Sequence, residues 1–195
     1  MSNNILVKDN FFDEIDELRE LSSSFHYNHS LDMPVRVGWV GFRSWDLSSS
    51  DNPIIKKLYT QVMETSSEYF GIDGFDTYFH FHKSYIDSQK DHHPHPWHTD
   101  PVPYAGVLYL SPNVPLECGT TLFVEGKRID IENKYNRLIL YPGSYEHGVT
   151  NYIDDRRSVN FFISSKEFTN MQKSLLEVFN RSMNGETDFS VEVNN

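Results

Sequence analysis

Cysteine, long apolar runs and positive charge are all scarce in this sequence of 195 residues. The one cysteine, Cys118, excludes an internal disulfide and indicates a reducing compartment. No apolar run approaches membrane-spanning length, so we expect no membrane partner. Lys and Arg number 17 against 28 Asp and Glu, and this net charge of -11 disfavours nucleic acid as a partner. The N-terminus shows no basic segment followed by an apolar core, and we therefore expect a cytoplasmic protein.

Hydrophobic spacing predicts a helical N-terminal part within a single domain. Apolar residues recur every three or four positions over 11–21, which is typical of an amphipathic helix. Asn52 before Pro53 is typical of a helix start, and the apolar spacing continues to Gly71, which predicts a second helix. Leu31 to Leu47 lacks helical spacing and predicts one or two short strands. We expect residues 1–74 to support the remainder of the fold.

The rest of the chain is rich in strand signals. Alternation of polar and apolar residues begins at Phe75, and short segments bounded by turn-forming residues follow, which predicts a β-sandwich or barrel over residues 75–165. A helix is predicted over 166–185 and an acidic tail over 186–195. The predicted strands after the first are Ala105–Leu110, Thr120–Val124, Arg128–Ile131, Arg137–Tyr141, Gly148–Tyr152 and Ser158–Ser164.

The first predicted strand, which begins at Phe75, has a polar face with two interpretations. Tyr78, His80 and His82 alternate with apolar residues, so they either face water or line a cavity, and we favour water for each of them alone. The Pro- and His-rich loop that follows, Ser88–His95, is predicted to be non-catalytic, mobile without substrate and ordered when substrate binds.

A candidate metal site begins at His98 and Asp100. These side chains are two residues apart, so an extended segment places both on one face. His147, 49 residues later (147 − 98), offers a third donor. Two His and one carboxylate describe the facial site of non-haem Fe(II) oxygenases, which leaves three coordination positions open. The alternative is that His-x-Asp is an accident in a chain with nine His.

The order of these motifs resembles that of the 2-oxoglutarate and Fe(II)-dependent dioxygenases, prolyl 4-hydroxylase-like branch. The resemblance covers residues 75–165 and depends on order and spacing together. It runs from His98-x-Asp100 through residues 117–140 to His147 and Arg156-Arg157-Ser158. It implies a mainly β fold, a double-stranded β-helix or jelly roll with flanking helices, and metal ligation by His98, Asp100 and His147. The implied cofactor and cosubstrates are Fe(II), 2-oxoglutarate and O2, with ascorbate as an optional stimulant.

The cosubstrate implied by the resemblance has a distal carboxylate that needs a buried cation. Arginine matches a carboxylate with two hydrogen bonds and keeps its charge. On a strand, Arg156 and Ser158 share one face and Arg157 takes the other, so we expect Arg156 and Ser158 to bind this carboxylate. A tyrosine often assists in the family. The candidates are Tyr78, Tyr109 and Tyr141, of which Tyr78 and Tyr141 are assigned to the site.

The resemblance implies a hydroxylase that converts 2-oxoglutarate to succinate and CO2 while it hydroxylates an unactivated C–H. Asp100 favours hydroxylation, because halogenating sites replace this carboxylate with a small residue. The substrate is a peptidyl proline or a small amino-acid-like molecule, and Arg43, Trp45 and His80 are candidate substrate residues. The alternatives are a non-enzymatic jelly roll that binds a ligand or serves a structural role, and a cupin-like metalloenzyme that uses no 2-oxoglutarate.

Overall fold

The computed structural model describes residues 4–30, 41–84, 97–171 and 174. Several predictions lie wholly or partly outside these residues: those for the Ser88–His95 loop, for most of residues 31–47 and 166–185, and for the acidic tail. Residues 166–171 are helical, as predicted. The other elements in chain order are β1 (Leu6–Lys8), α1 (Ile15–Ser24), β2 (Asn28–His29), β3 (Phe42–Arg43), α2 (Pro53–Phe70), β4 (Phe75–Lys83), β5 (Tyr104–Tyr109), β6 (Thr120–Val124), β7 (Lys127–Ile131), β8 (Leu138–Pro142), β9 (Glu146–Val149) and β10 (Arg157–Ser165).

Local signals determine where α2 begins and ends. The Asn52 side chain accepts a hydrogen bond from the backbone N–H of Ile54 at 2.9 Å, and Pro53 occupies the first helical position. Gly71 ends the helix with a φ of 66°, a conformation that glycine adopts at little cost. The predicted second helix is therefore confirmed at both ends. The first helix begins later than predicted, at Ile15, because the backbone N–H of Phe12 bonds the Asn136 side chain instead.

The strands form two antiparallel sheets. The larger has seven strands in the order β1-β8-β5-β10-β4-β3-β2, and the smaller has three in the order β7-β6-β9. This arrangement confirms the predicted mainly β, jelly-roll fold with flanking helices. One predicted strand was placed too late along the chain. Gly148–Tyr152 was expected, whereas β9 begins at Glu146 because its first residues pair with Phe123 and Leu122 of β6.

Side-chain alternation divides the interior into two cores. On β10, Val159, Phe161 and Ile163 pack toward α1 and α2 in the first core. Phe162, on the opposite face, packs in the second core with residues of β5, β6, β7 and β8, between the two sheets. Cross-strand register places Tyr78 of β4 beside Phe162 on this second face.

The polar face of β4 is enclosed. His80 and His82 pair with Asn160 and Ser158 of β10, and each is only 6 % exposed. The prediction that these residues face water was therefore wrong. Helices cover the apolar face of the strand, and Tyr78 on the other face packs against the second core, so both faces of β4 are interior. No helix within the described residues has the length and apolar character needed to cross a membrane.

Candidate metal centre and its two arginine pockets

His147 lies on β9, at an edge of the smaller sheet, and His98 forms an antiparallel bridge with it. The backbone N–H of His98 donates to the His147 carbonyl at 2.9 Å, and the reverse hydrogen bond is 2.8 Å. This pairing sets the two imidazole rings side by side, with centroids 4.5 Å apart. The backbone N–H of Asp100 donates to the Gly143 carbonyl at 2.9 Å, which holds the third residue against the same segment.

The side chains of His98, Asp100 and His147 converge on one point. One potential ligand atom from each lies within 4.8 Å of the others. The Asp100 carboxylate is 3.3 Å from His147 Nε2 and 3.7 Å from His98 Nε2. The His147 side chain is 7 % exposed and that of Asp100 11 %, whereas that of His98 is 49 % exposed. The cluster is therefore closed on the His147 side and open to solvent on the His98 side.

The protonation of this cluster suits a cation. His147 Nδ1 donates to the Tyr145 carbonyl at 2.8 Å, so Nε2 is the ring nitrogen that faces Asp100. Burial raises the pKa of Asp100. The His147 hydrogen bond and the charges of both histidines and Arg43 lower this pKa by more, so it lies below its ordinary value. An ionised carboxylate and two imidazoles form a donor set suited to Fe(II).

Gly143 allows the close approach that positions Asp100. A Cβ at this residue would lie 2.1 Å from the backbone carbonyl oxygen of Val102, closer than any real contact. The turn after β8 can therefore lie directly against residues 100–103 only because position 143 carries no side chain. In the sequence, Pro142-Gly143 indicates only a turn.

Arg156 occupies an enclosed pocket beside the cluster. It lies immediately before β10 and is 2 % exposed. Its Nε donates to the Cys118 carbonyl at 2.7 Å, and its guanidinium carbon lies 5.1 Å from the centroid of the Tyr109 ring. The Tyr109 hydroxyl donates to Thr120 Oγ1 at 2.8 Å. We call Arg156, Tyr109 and Thr120 the Arg156 pocket.

The neighbouring Arg157 faces the other way. Its guanidinium is paired with the Asp155 carboxylate at 2.9 Å and donates to Ser23 Oγ of α1 at 2.6 Å. This is the helix-covered side of the large sheet, where Val159 also lies. The structure thus places Arg156 in the interior and Arg157 near the surface.

Tyr141 and Ser158 connect the metal cluster to the Arg156 pocket. The Tyr141 ring lies 4.9 Å from that of His147, and burial, followed by the nearby Asp100 and Tyr109, raises the pKa of Tyr141 well above its ordinary value. Ser158 is buried opposite Tyr109 in the β5–β10 pairing. Its hydroxyl donates to Asn160 Oδ1 at 2.8 Å, so in this structure it is engaged along its own strand.

A second arginine, Arg43, lies beside the same cluster. It faces His82 across the β3–β4 pairing, and its guanidinium carbon lies 5.5 Å from the centroid of the Phe162 ring. Burial lowers the pKa of Arg43 to about 10, against the opposing effects of Asp100 and Tyr78. The Tyr78 ring stacks on Phe162 at 4.8 Å, and burial raises the pKa of Tyr78 to about 12.

His80 completes this region, which we call the Arg43 pocket: Arg43, Tyr78, His80 and Phe162. His80 Nδ1 donates to the Ser44 carbonyl at 3.1 Å, and the ring lies 5.8 Å from that of Tyr78. Burial, followed by the charge of Arg43, lowers the pKa of His80 to about 4, so the imidazole is neutral near pH 7. Trp45 is half-buried nearby, and its backbone carbonyl accepts a hydrogen bond from Ser44 Oγ at 2.8 Å.

The structure separates the two tyrosines that the sequence assigns to one site. Tyr141 groups with Arg156, whereas Tyr78 groups with Arg43 and Phe162. Tyr109, considered but not assigned, directly contacts Arg156. The sequence does not give the cross-strand register that would have assigned Tyr109 to the site. Tyr109 lies opposite Ser158 because β5 pairs with β10 in this register. Asn160 was also missed, although its spacing from Ser158 places it on the same face.

Comparisons with solved structures agree with the fold. No protein-family model and no curated protein matches the sequence. A prolyl-4-hydroxylase from Pseudomonas putida has a TM-score of 0.61 and 14% identity, over 85% of this chain and 94% of that one. A prolyl hydroxylase from Trichoplax adhaerens, solved with a hypoxia inducible factor peptide fragment, has a TM-score of 0.59 and 14% identity, over 87% of each chain.

A third similar structure carries out different chemistry. The non-heme α-ketoglutarate-dependent epimerase SnoN of nogalamycin biosynthesis has a TM-score of 0.56 and 11% identity, over 84% of this chain and 78% of that one. The fold of this chain is therefore that of the 2-oxoglutarate/Fe(II) oxygenases, prolyl 4-hydroxylases among them, as the sequence resemblance indicated.

Proposed function

We propose that this protein is a 2-oxoglutarate- and Fe(II)-dependent dioxygenase that hydroxylates an unactivated C–H of a peptidyl proline or a small amino-acid-like substrate. The observation that supports it most is the convergence of the His98, Asp100 and His147 side chains, with ligand atoms within 4.8 Å of one another. This donor set occurs in a chain that has the oxygenase fold.

The three residues suit Fe(II) as ligands. His147 is held in the tautomer that ligation requires, Asp100 is ionised, and His98 Nε2 lies on the solvent side. Three protein ligands on one face leave the other positions for 2-oxoglutarate and O2, which together supply the oxidising chemistry and release succinate and CO2. The protein's own part is to orient the reactants and to exclude water.

Arg156 is the residue proposed to bind the distal carboxylate of 2-oxoglutarate. Its Nε is engaged with the Cys118 carbonyl, which fixes the plane of the guanidinium and leaves the two terminal amino groups to face a carboxylate. Tyr109 and Thr120 add hydroxyls beside it. Burial of a carboxylate is costly unless a cation meets it, and Arg156 is a fully buried cation next to the cluster.

Apolar side chains between the sheets would keep this region dry. Val107, Leu122 and Ile139 are buried in the second core together with Tyr109 and Tyr141. A dry interior strengthens the attraction between Arg156 and a carboxylate, because the effective dielectric there is lower than in water.

Two classes of substrate remain within this proposal. The Trichoplax neighbour was solved with a peptide, which supports a peptidyl substrate. A small amino-acid-like substrate is the other class, for which Arg43, near Asp100, is the candidate residue to contact an anionic group.

The test is succinate formation from 2-oxoglutarate by the purified protein with Fe(II) under oxygen, with His147→Ala as the matched inactive control. We expect Fe(II)-dependent succinate from the wild type, including slow uncoupled turnover without substrate, and none above background from the variant. A cupin-like enzyme would bind metal without releasing succinate. A non-enzymatic jelly roll would show neither, and either result would refute the proposal.

A further inference from the structure

Ser158 and Asn160 are linked by a hydrogen bond on the inner face of β10. The Ser158 hydroxyl donates to Asn160 Oδ1 at 2.8 Å. Ser158 is 1 % exposed and lies opposite Tyr109, a residue of the Arg156 pocket. Asn160 lies opposite His80 of β4, which belongs to the Arg43 pocket. This hydrogen bond therefore joins a residue beside one pocket to a residue beside the other.

Asn160 is accessible, whereas its neighbours along the same face of β10 are buried. Ser158 and Phe162, two residues away on either side, are both buried, and Asn160 is half-buried. Strand β10 has β5 and β4 as its neighbours, and its opposite face packs toward α1 and α2. The exposed part of Asn160 therefore borders the interior space on the Phe162 side of the sheet. A molecule that enters this space reaches Asn160 before the buried Ser158 hydroxyl.

The Ser158 hydroxyl has one proton to donate, and in this structure it donates that proton to Asn160. An ionised carboxylate accepts hydrogen bonds and donates none. Ser158 therefore cannot bind the distal carboxylate of 2-oxoglutarate and keep its hydrogen bond to Asn160. To do the first, the hydroxyl must rotate away from Asn160 Oδ1.

We propose that Asn160 is a positioning residue that lowers the affinity for 2-oxoglutarate by competing for the Ser158 proton. In the empty protein Asn160 Oδ1 holds the hydroxyl. When the cosubstrate binds, the hydroxyl turns to its distal carboxylate and Asn160 Oδ1 is released. This inference rests on the proposed function, in which Arg156 binds the same carboxylate. The net gain from Ser158 is then the difference between a charge-assisted hydrogen bond and the neutral one that it replaces.

The experiment is a calorimetric titration of 2-oxoglutarate into the Zn(II)-loaded protein. The proteins compared are the wild type, Asn160→Leu, Ser158→Ala and the double variant. Asn160→Leu removes the competing acceptor with a side chain of similar size. We expect it to bind 2-oxoglutarate about 2- to 13-fold more tightly than the wild type, the equivalent of one neutral hydrogen bond. If Asn160 contacted the cosubstrate directly, or only supported the strand, the substitution would weaken binding or leave it unchanged.

The double variant assigns the effect to Ser158. In Ser158→Ala the contested proton is absent, so adding Asn160→Leu should change the affinity for 2-oxoglutarate by less than about twofold. A matched ligand provides a second control. 2-Oxopentanoate has the same chain length as 2-oxoglutarate but lacks the distal carboxylate, and its affinity should stay within about twofold in all four proteins.

Asn160→Ala tests the same loss without an added apolar side chain. It should also bind 2-oxoglutarate more tightly than the wild type, because it too removes the acceptor. The affinity of each Asn160 variant for Zn(II) should stay within about threefold of the wild type, which establishes that the variant is folded.

Four results would overturn the inference. These are weaker or unchanged binding of 2-oxoglutarate in both Asn160 variants, an equal gain in affinity for 2-oxopentanoate, a gain that persists when Ser158 is Ala, and loss of Zn(II) binding in both Asn160 variants. The last result would mean that Asn160 supports the fold. Failure of the wild type to bind Zn(II) and 2-oxoglutarate would instead refute the proposed function itself.

Discussion

The Arg156 pocket and the Arg43 pocket are similar in content but differ in construction. Each has an arginine over an aromatic ring, at 5.1 Å in one and 5.5 Å in the other, with a tyrosine nearby. Arg156 lies next to a nine-residue central strand, and a backbone carbonyl fixes its plane. Arg43 lies on a two-residue strand paired with the even more peripheral β2. Arg156 is thus anchored by a backbone carbonyl beside the centre of the large sheet, whereas Arg43 lies toward one edge of it.

The largest effect is expected where both pockets meet, at the metal cluster. Replacing His147 with Ala removes the ligand whose ring is fixed by Tyr145, and we expect loss of metal and of all turnover with the fold retained. Metal analysis of the purified protein checks this, with His26→Ala as the exposed histidine control. Full iron occupancy in His147→Ala would disprove the assignment.

The next effect compares Arg156 with its less buried neighbour, Arg157. Arg156→Ala would leave the distal carboxylate of 2-oxoglutarate buried without a partner, at a cost of about 2 to 5 kcal/mol, or roughly 30- to 5,000-fold in the apparent KM for 2-oxoglutarate. Arg157→Ala should change this KM by less than about threefold, because Arg157 pairs with Asp155 near the surface. The measurement is succinate formation at saturating iron. A reversal of the two results would mean that the strand register is shifted by one residue.

A change in the backbone near Asp100 should reduce stability. In Gly143→Ala the new Cβ would lie 2.1 Å from the Val102 carbonyl oxygen, so the segment that holds Asp100 must shift. We expect a loss of about 1 to 3 kcal/mol in the free energy of unfolding, typical of overpacking, together with weaker metal binding. Urea denaturation and metal titration measure the two effects, with the exposed Ser144→Ala as control. Unchanged stability and metal affinity would contradict this role of Gly143.

The smallest effect distinguishes the two tyrosines. Tyr109→Phe removes one hydroxyl from the Arg156 pocket, which we expect to raise the KM for 2-oxoglutarate about 2- to 13-fold, the equivalent of 0.5 to 1.5 kcal/mol. Tyr78→Phe should leave this KM within about twofold, because Tyr78 stacks on Phe162 beside Arg43. A larger effect from Tyr78→Phe would restore the assignment made from sequence.

Features set by local residues could be predicted from the sequence. Helix α2 begins and ends at its Asn52 and Gly71 signals, and β6 covers the predicted Thr120–Val124. The expectation that Arg156 and Arg157 point to opposite sides also needed only strand alternation. His98 and Asp100 could be paired as candidates for the same reason.

Features set by pairing between distant segments could not be predicted. Strand β1 has three residues and exists because the edge of β8 accepts it. The groupings of Tyr109 with Arg156 and of Tyr78 with Arg43 depend on the registers of β5 and β3 against their neighbours. Alternation alone reports that β4 has two faces, whereas burial of the polar face depends on distant segments that pack against it, such as Ser44 against His80.

The most direct test of this account is a calorimetric titration of 2-oxoglutarate into Zn(II)-loaded wild type, Arg156→Ala and Arg43→Gln. The account predicts binding to the wild type, a loss of at least about 30-fold in Arg156→Ala, and a change within about threefold in Arg43→Gln. Absence of binding to the wild type, or equal losses in the two variants, would contradict it.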